Sequence, residues 1–164
     1  MSFAHRRAFQ DDLAEIGVHE CFGCGARNAQ GLRIKSYWHD NDNGVAVCEW
    51  QASEHLVGWA GILNGGISAT VIDCHCTCTA IAAAYRAQDR PIKSEPMIPY
   101  ATGSLQVTYL RPVSVATPIR LVARITEQTE RKTHLTCSLA QRGEECARAE
   151  VVMVRLRSAL MAAS

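Results

Sequence analysis

Leu63–Tyr85, LNGGISATVIDCHCTCTAIAAAY, reads as one long helix entered through a polar, glycine-rich turn. After Asn64-Gly65-Gly66, the residues Ile67, Ala69, Val71, Ile72, Cys74, Cys76, Cys78 and Ala80 to Ala84 leave no charged face. A helix that is apolar on every side is a buried one, so the rest of the chain has to wrap it. Asp73 interrupts this cylinder two turns after the glycines. A carboxylate withdrawn from water without a cation holds its proton more tightly, unless hydrogen bonds compensate. Ser68, Thr70 and Thr77 can offer only hydroxyls. Asp73 is therefore either a satisfied core carboxylate or a reacting group.

Composition narrows the function classes. A chain of 164 residues is enough for one substantial core and predicts a single domain. A formal net charge of +1 gives no basic footprint for nucleic acid or an anionic membrane, and leaves room only for a local anion site. The opening MSFAHRRAFQDDLAE is polar, which argues against a secretory leader and predicts a cytoplasmic protein. Eight cysteines fit that compartment when reduced, and Cys74, Cys76 and Cys78 cannot cross-link one another within one helix. Ile62–Tyr85 is long enough to cross a bilayer, but Asn64, two glycines, Asp73 and His75 argue against a span.

Taken outward from the helix, residues 1–20 predict a short N-terminal helix and tether with Leu13, Ile16 and Val18 as apolar contacts, and residues 21–164 a single domain. Cys21-Phe22-Gly23-Cys24-Gly25 invites a zinc or redox reading, with His19 as a third ligand. A structural zinc site wants four ligands, commonly two such pairs, and no second pair is visible, so no metal is expected. Leu32–Trp38 and Val45–Gln51 predict a hairpin around the turn Asp40–Gly44. Ala52–Ile62 is expected as a loop carrying His55, Gly58, Trp59 and Gly61 to the helix entrance. Arg86–Thr102, broken by Pro91, Pro96 and Pro99, is expected to be irregular. Ser104–Leu110, Ile119–Glu127, Thr133–Gln141 and Cys146–Arg157 predict four more strands joined by short turns. The result is an α+β fold, a long central helix wrapped by a curved antiparallel sheet of about six strands. A second copy is expected on the helix's remaining side.

Gly61-Ile62-Leu63-Asn64-Gly65-Gly66 followed by Ala69-Thr70-Val71-Ile72-Asp73 resembles the hotdog-fold acyl-CoA thioesterases, particularly the phenylacetate-pathway, PaaI-like type. Cys21-Phe22-Gly23-Cys24-Gly25 with Asn28 and Gly31-Leu32 is similar to an N-terminal signature of one branch, and Val107-Thr108-Tyr109-Leu110-Arg111-Pro112-Val113 to the strand after the helix. In that family the turn usually reads His-Gly-Gly, with an acidic residue eight positions after the first glycine. Gly65 and Asp73 keep that spacing, and Asn64 stands in the place of the histidine.

The chemistry agrees with the resemblance. Unpaired N–H groups at a helix N-terminus favour developing negative charge, and glycine lets a carbonyl approach closely. The Gly65 N–H, with that of Gly66, is a candidate oxyanion hole, and Asp73 a general base on water or a direct nucleophile. About 12 Å of helix separates them, so the resemblance implies that they meet across a dimer. It also implies that the Thr102 hydroxyl helps hold the water; a strand-entry threonine bonded to backbone is the alternative. His55, Trp59 and Gly66 are candidate pocket residues, His75 a packed or interface histidine, and Arg86, Arg90, Lys93 and especially Arg111 candidates for coenzyme A phosphates. The expectation is an acyl-CoA thioesterase, homodimeric or a dimer of dimers, needing no cofactor. The rivals are a non-catalytic acyl-CoA-binding hotdog protein, suggested by Asn64, and an enoyl-thioester hydratase, which would need a histidine working with Asp73.

Overall fold

Residues 6–40 and 44–157 are described by the computed structural model. Expectations for residues 1–5, for the middle of the first hairpin turn at 41–43 and for residues 158–164 lie outside the described residues. The chain runs α1 (Phe9–Glu15), β1 (Tyr37–Trp38), β2 (Val45–Trp50), a 3-10 turn (Glu54–Leu56), β3 (Val57–Trp59), β4 (Ile62–Leu63), α2 (Gly65–Ala87), β5 (Tyr100–Tyr109), β6 (Ile119–Gln128), β7 (Lys132–Gln141) and β8 (Glu144–Arg155). Six strands form one antiparallel sheet in the order β1-β2-β6-β7-β8-β5, and β3 with β4 makes a separate ribbon.

Alternation along each strand turns one face of the sheet towards α2. Across that face the register aligns Cys48, Leu121, Leu139 and Ala147 in one row. The next row is Ala46, Ala123, Cys137, Ala149 and Val107, and a third joins Ile125, Leu135, Val151 and Leu105. The middle row is built largely from small side chains. It meets a helix that is itself rich in alanine and cysteine, and Cys76 of the helix and Cys137 of the sheet are buried in the same core. Small residues on both sides let helix and sheet approach closely, at the packing density that interiors require. By length and composition α2 could cross a membrane; here the sheet and the N-terminal segment cover it.

The second cover comes from α1 and the loop after it. Ala8, Phe9 and Leu13 are buried with Ile34 in the same core as α2. A buried polar chain pins this layer. The Ala46 carbonyl, 3.3 Å from His75 Nε2, can only accept, so Nε2 carries the ring proton. His75 Nδ1 then accepts from the Ser36 hydroxyl at 2.9 Å. Ser36 Oγ accepts from Gln10 Nε2 at 2.9 Å, and Gln10 Oε1 accepts from the Ser36 N–H at 2.8 Å. Every member is satisfied, as buried polar groups require.

Three element boundaries depart from expectation. Leu32–Trp38 contributes only two residues of strand, because the N–H groups of Leu32, Ile34 and Ser36 donate to the N-terminal loop and α1 instead of to the backbone of β2. The entrance loop 52–62 contains the β3–β4 ribbon. β5 begins at Tyr100, inside the stretch expected to be irregular, because Gly103 is an extra residue between the pairs Thr102–Met153 and Ser104–Val152. That bulge breaks the alternation that would have marked the strand.

Burial pushes the His75 imidazole down to about 4 from an ordinary 6.5, against the opposing hydrogen bond to Ala46. The folded protein holds the ring neutral while the unfolded chain protonates it. The stabilisation is complete above about pH 6.5 and is lost as the pH falls towards 4, a loss of about 3 kcal/mol. Urea denaturation across that window is expected to show this decline, and a His75→Gln variant, which cannot titrate, a shallower one.

Candidate active site

Asn64 makes the start of α2. Its backbone is extended, and its Oδ1 accepts the Gly66 N–H at 2.8 Å, which is an N-cap. Its own N–H donates to the Leu56 carbonyl at 2.9 Å, and the Leu63 N–H donates to Val113 at 2.8 Å. The entrance is thus clamped between the 3-10 turn and the segment after β5. Because the Asn64 side chain occupies the Gly66 N–H, the expected second oxyanion donor is not free. Gly65 is an exposed residue, and its N–H has no partner among the described residues. Tyr109, which the sequence reading did not single out, donates its hydroxyl to the Gly65 carbonyl at 2.7 Å. Its signal was its place in the strand motif Val107–Val113.

Beside Gly65 lies a groove of about 390 Å³ lined by Trp59, Leu63, Gly65, Tyr109, Arg111 and Val113 among others. Trp59 is 80% exposed, so its indole has almost no cover from its own chain. Arg111 reaches the groove already held, with Nη1 donating to the Glu145 carbonyl at 3.0 Å and Nε 3.9 Å from Glu144. His55 lies on the exposed 3-10 turn and does not line the groove. Arg86, Arg90 and Lys93 sit at or beyond the far end of α2, roughly 30 Å from Gly65, and do not join the groove of their own chain. Arg86 covers Trp38, Arg90 donates to the Ser94 and Pro96 carbonyls, and Lys93 pairs with Glu15.

Gly66, Thr70, Asp73 and Thr77 form the stripe of α2 that neither cover closes, Gly66 being exposed and the other three half-buried. This stripe is the side of the helix that its own chain leaves uncovered. Thr102 Oγ1 donates to Asp73 Oδ1 at 2.6 Å. No other side chain or backbone group among the described residues bonds that carboxylate, and no cation pairs with it. Thr77 and Thr70 bond back to main-chain carbonyls one turn earlier instead. Burial is the main cause that raises the Asp73 pKa above its ordinary 3.8; the Thr102 hydrogen bond opposes it, and nearby Cys24 adds to it. Gly103, the bulge residue, lies next to Thr102; a Cβ there would stand 2.7 Å from a Val154 methyl. His75 faces Ser36 and Ala46, away from this carboxylate's partner.

The thiols of Cys21, Cys24 and Cys74 form a separate cluster, with all three Sγ atoms within 4.8 Å of one another. His19, the candidate third ligand, is not in it.

A long helix in the grip of a curved six-stranded antiparallel sheet, with a glycine turn at its mouth, is the hotdog class. The chain belongs to the family described as acyl-CoA thioesterase N-terminal domain, which matches residues 57–154. A thioesterase superfamily protein from Shewanella loihica is 28% identical, with a TM-score of 0.60 over 76% of this chain and 91% of that one. The E. coli PaaI protein of the phenylacetic acid degradation operon shares the fold at 12% identity, TM-score 0.62, over 77% and 81%. A Streptococcus mutans protein solved bound to acetyl-CoA does so at 12% identity, TM-score 0.61, over 75% and 88%. No curated protein sequence matches the chain.

Asn64→Ala removes the cap of α2 and is expected to cost about 1 kcal/mol in chemical denaturation, while Asn64→Asp, which keeps an acceptor there, costs little.

Proposed function

We propose that this protein hydrolyses the thioester of an acyl- or aryl-coenzyme A as a PaaI-like member of its family, with the Gly65 N–H polarising the carbonyl and Asp73 activating water or attacking directly. The observation that carries the reading is Asp73 itself. It is a half-buried carboxylate with no cation paired to it among the described residues, its proton affinity raised, its one bonded oxygen held by Thr102, on a stripe that the described chain leaves open. A carboxylate kept this way is a base rather than a structural ion-pair partner. The unpaired N–H at the start of the same helix meets the need for a donor where the oxyanion develops. The coenzyme A thioester fits the family description, and acetyl-CoA is the ligand of the Streptococcus mutans protein of this fold.

Eight residues of helix hold Gly65 and Asp73 about 12 Å apart, so one chain does not bring them to a single carbonyl. The site proposed is shared between two copies. β5 supports this: it is a ten-residue edge strand, its outer edge unpaired among the described residues, with Thr102, Ser104, Gln106, Thr108 and Tyr109 exposed. An open edge of that length is one that proteins cover or pair. Pairing β5 with a second β5 would close the open stripe of α2 and set Asp73 of one protomer near the glycine turn of the other. With eight free thiols, the enzyme is proposed to work in a reducing, cytoplasmic setting. A hydratase would need a histidine beside Asp73, and buried His75 does not serve.

Release of free thiol from a panel of acyl- and aryl-coenzyme A esters tests the chemistry. Asp73→Asn is expected to lower kcat by a factor on the order of 10²–10⁴ with the fold intact. Thioester binding without Asp73-dependent thiol release would replace the enzyme with a non-catalytic binder. Gly65→Ala also folds, since a Cβ there meets only the Tyr109 ring at 3.6 Å, but it crowds the carbonyl's approach and lowers activity. Co-expressing Gly65→Ala with Asp73→Asn chains is expected to restore activity, because each mixed dimer then holds one intact site. Two variants inactive alone and inactive together would exclude the shared site.

A further inference from the structure

The CxxC loop is folded onto α2 at Cys74. Gly23 makes the approach possible: a Cβ there would lie 2.3 Å from Cys74 Sγ. The Gly25 N–H donates to the Cys21 carbonyl at 2.8 Å, the Leu32 N–H to Phe22 at 2.8 Å, and Asn28 Nδ2 to Glu20 at 2.9 Å. The loop is therefore shaped by its own backbone before any cross-link. Cys21 Sγ and Cys74 Sγ are 3.8 Å apart, and Cys24 Sγ is within 4.8 Å of both. Cys78, one turn after Cys74 on the same face of α2, is buried, with its Sγ outside the group of three thiols that lie mutually within 4.8 Å.

From this geometry we propose a structural site for a thiophilic divalent cation of the zinc class, ligated by Cys21, Cys24 and Cys74, with Cys78, one helical turn on, turning its Sγ inward to close the tetrahedron. A zinc–sulfur bond of about 2.3 Å gives a tetrahedral S···S edge of about 3.8 Å, the separation of Cys21 from Cys74. Two cysteines in a tight loop and two at i and i+4 on a helix make the two-pair ligand set that a Cys₄ site uses. The sequence expectation of no metal counted CxxC pairs and found one. The second pair is a helical Cys-x₃-Cys hidden in the apolar run. Each thiol that binds gives its proton to solvent as the metal–sulfur bond forms, with no change in oxidation state. The cation would clip the loop to α2 across 53 positions of sequence, beside Asp73. This site is independent of the hydrolase reading.

The test uses the full chain, purified reduced, stripped of metal and titrated with zinc against a chromophoric chelator, then with cobalt(II). One zinc per chain is expected, and the cobalt form should show sulfur-to-metal charge transfer with the intense visible bands of a tetrahedral ion. Cys21→Ser and Cys24→Ser, both in the surface loop, should each weaken zinc by more than about 100-fold, beyond the roughly 10–100-fold of an outer-shell change. Cys146→Ser, in β8, should bind as the parent does. A competing chelator should lower the melting temperature of the zinc-loaded parent and leave Cys24→Ser unmoved, with circular dichroism showing both folded. The proposal is overturned by sub-stoichiometric zinc, by six-coordinate cobalt lacking thiolate bands, or by unaltered binding in Cys24→Ser. It is equally overturned if the reduced protein takes no metal and glutathione buffers instead form a Cys21–Cys74 disulfide.

Discussion

Burying one apolar helix is the constraint from which the rest of this molecule follows. Apart from one narrow stripe, α2 has no polar face to give to water, so the sheet must curve around it and a second layer must lie on its back. Both covers are made to fit a narrow cylinder. The sheet offers a row of alanine and cysteine towards the helix, and the N-terminal segment brings Phe9, Leu13 and Ile34 together with the Gln10–Ser36–His75 chain. Leu121, Leu139, Val151 and Met153 flank the small row and fill the space to either side of the helix.

Once the helix is fixed, the chemistry is positioned by what remains open. Its N-terminus emerges between the β3–β4 ribbon and the end of β5, where Asn64 caps one N–H and leaves its neighbour to solvent. Its single unsealed stripe runs beside the free edge of β5, where a one-residue bulge stands next to the Thr102 hydroxyl that meets Asp73. The raised proton affinity of that carboxylate is a consequence of the same burial that holds the fold together. On the turn next to that carboxylate, the loop 21–25 exploits a glycine to come within sulfur-contact distance of Cys74.

Much of the architecture was legible because periodicity reports burial. Ile119, Leu121 and Ala123 alternate cleanly, so β6 was readable, as were β2, β7 and β8 to within a few residues. Tyr100–Thr102 was unreadable as strand, since the Gly103 bulge and three preceding prolines hide the alternation. Tyr37–Trp38 was over-extended into a longer strand, since Leu32 and Ile34 are apolar for the sake of the N-terminal layer rather than the sheet. At the site, Gly65, Asp73 and the cap Asn64 stood out by residue type and spacing. Tyr109 did not, because a tyrosine at the end of a strand looks the same whether or not its hydroxyl meets a helix.

The sequence by itself determined that there is one long buried helix, that a carboxylate lies two turns inside it, and that strands before and after it in the chain form the sheet that wraps it, because hydrophobic periods of two and of 3.6 are local properties of the chain. Tertiary structure alone decided which side of α2 stays open, which backbone N–H at its mouth remains unpaired, and that Cys21 and Cys24 meet Cys74. Those outcomes depend on contacts between residues dozens of positions apart, and distance in space along a folded chain is not written in any local pattern.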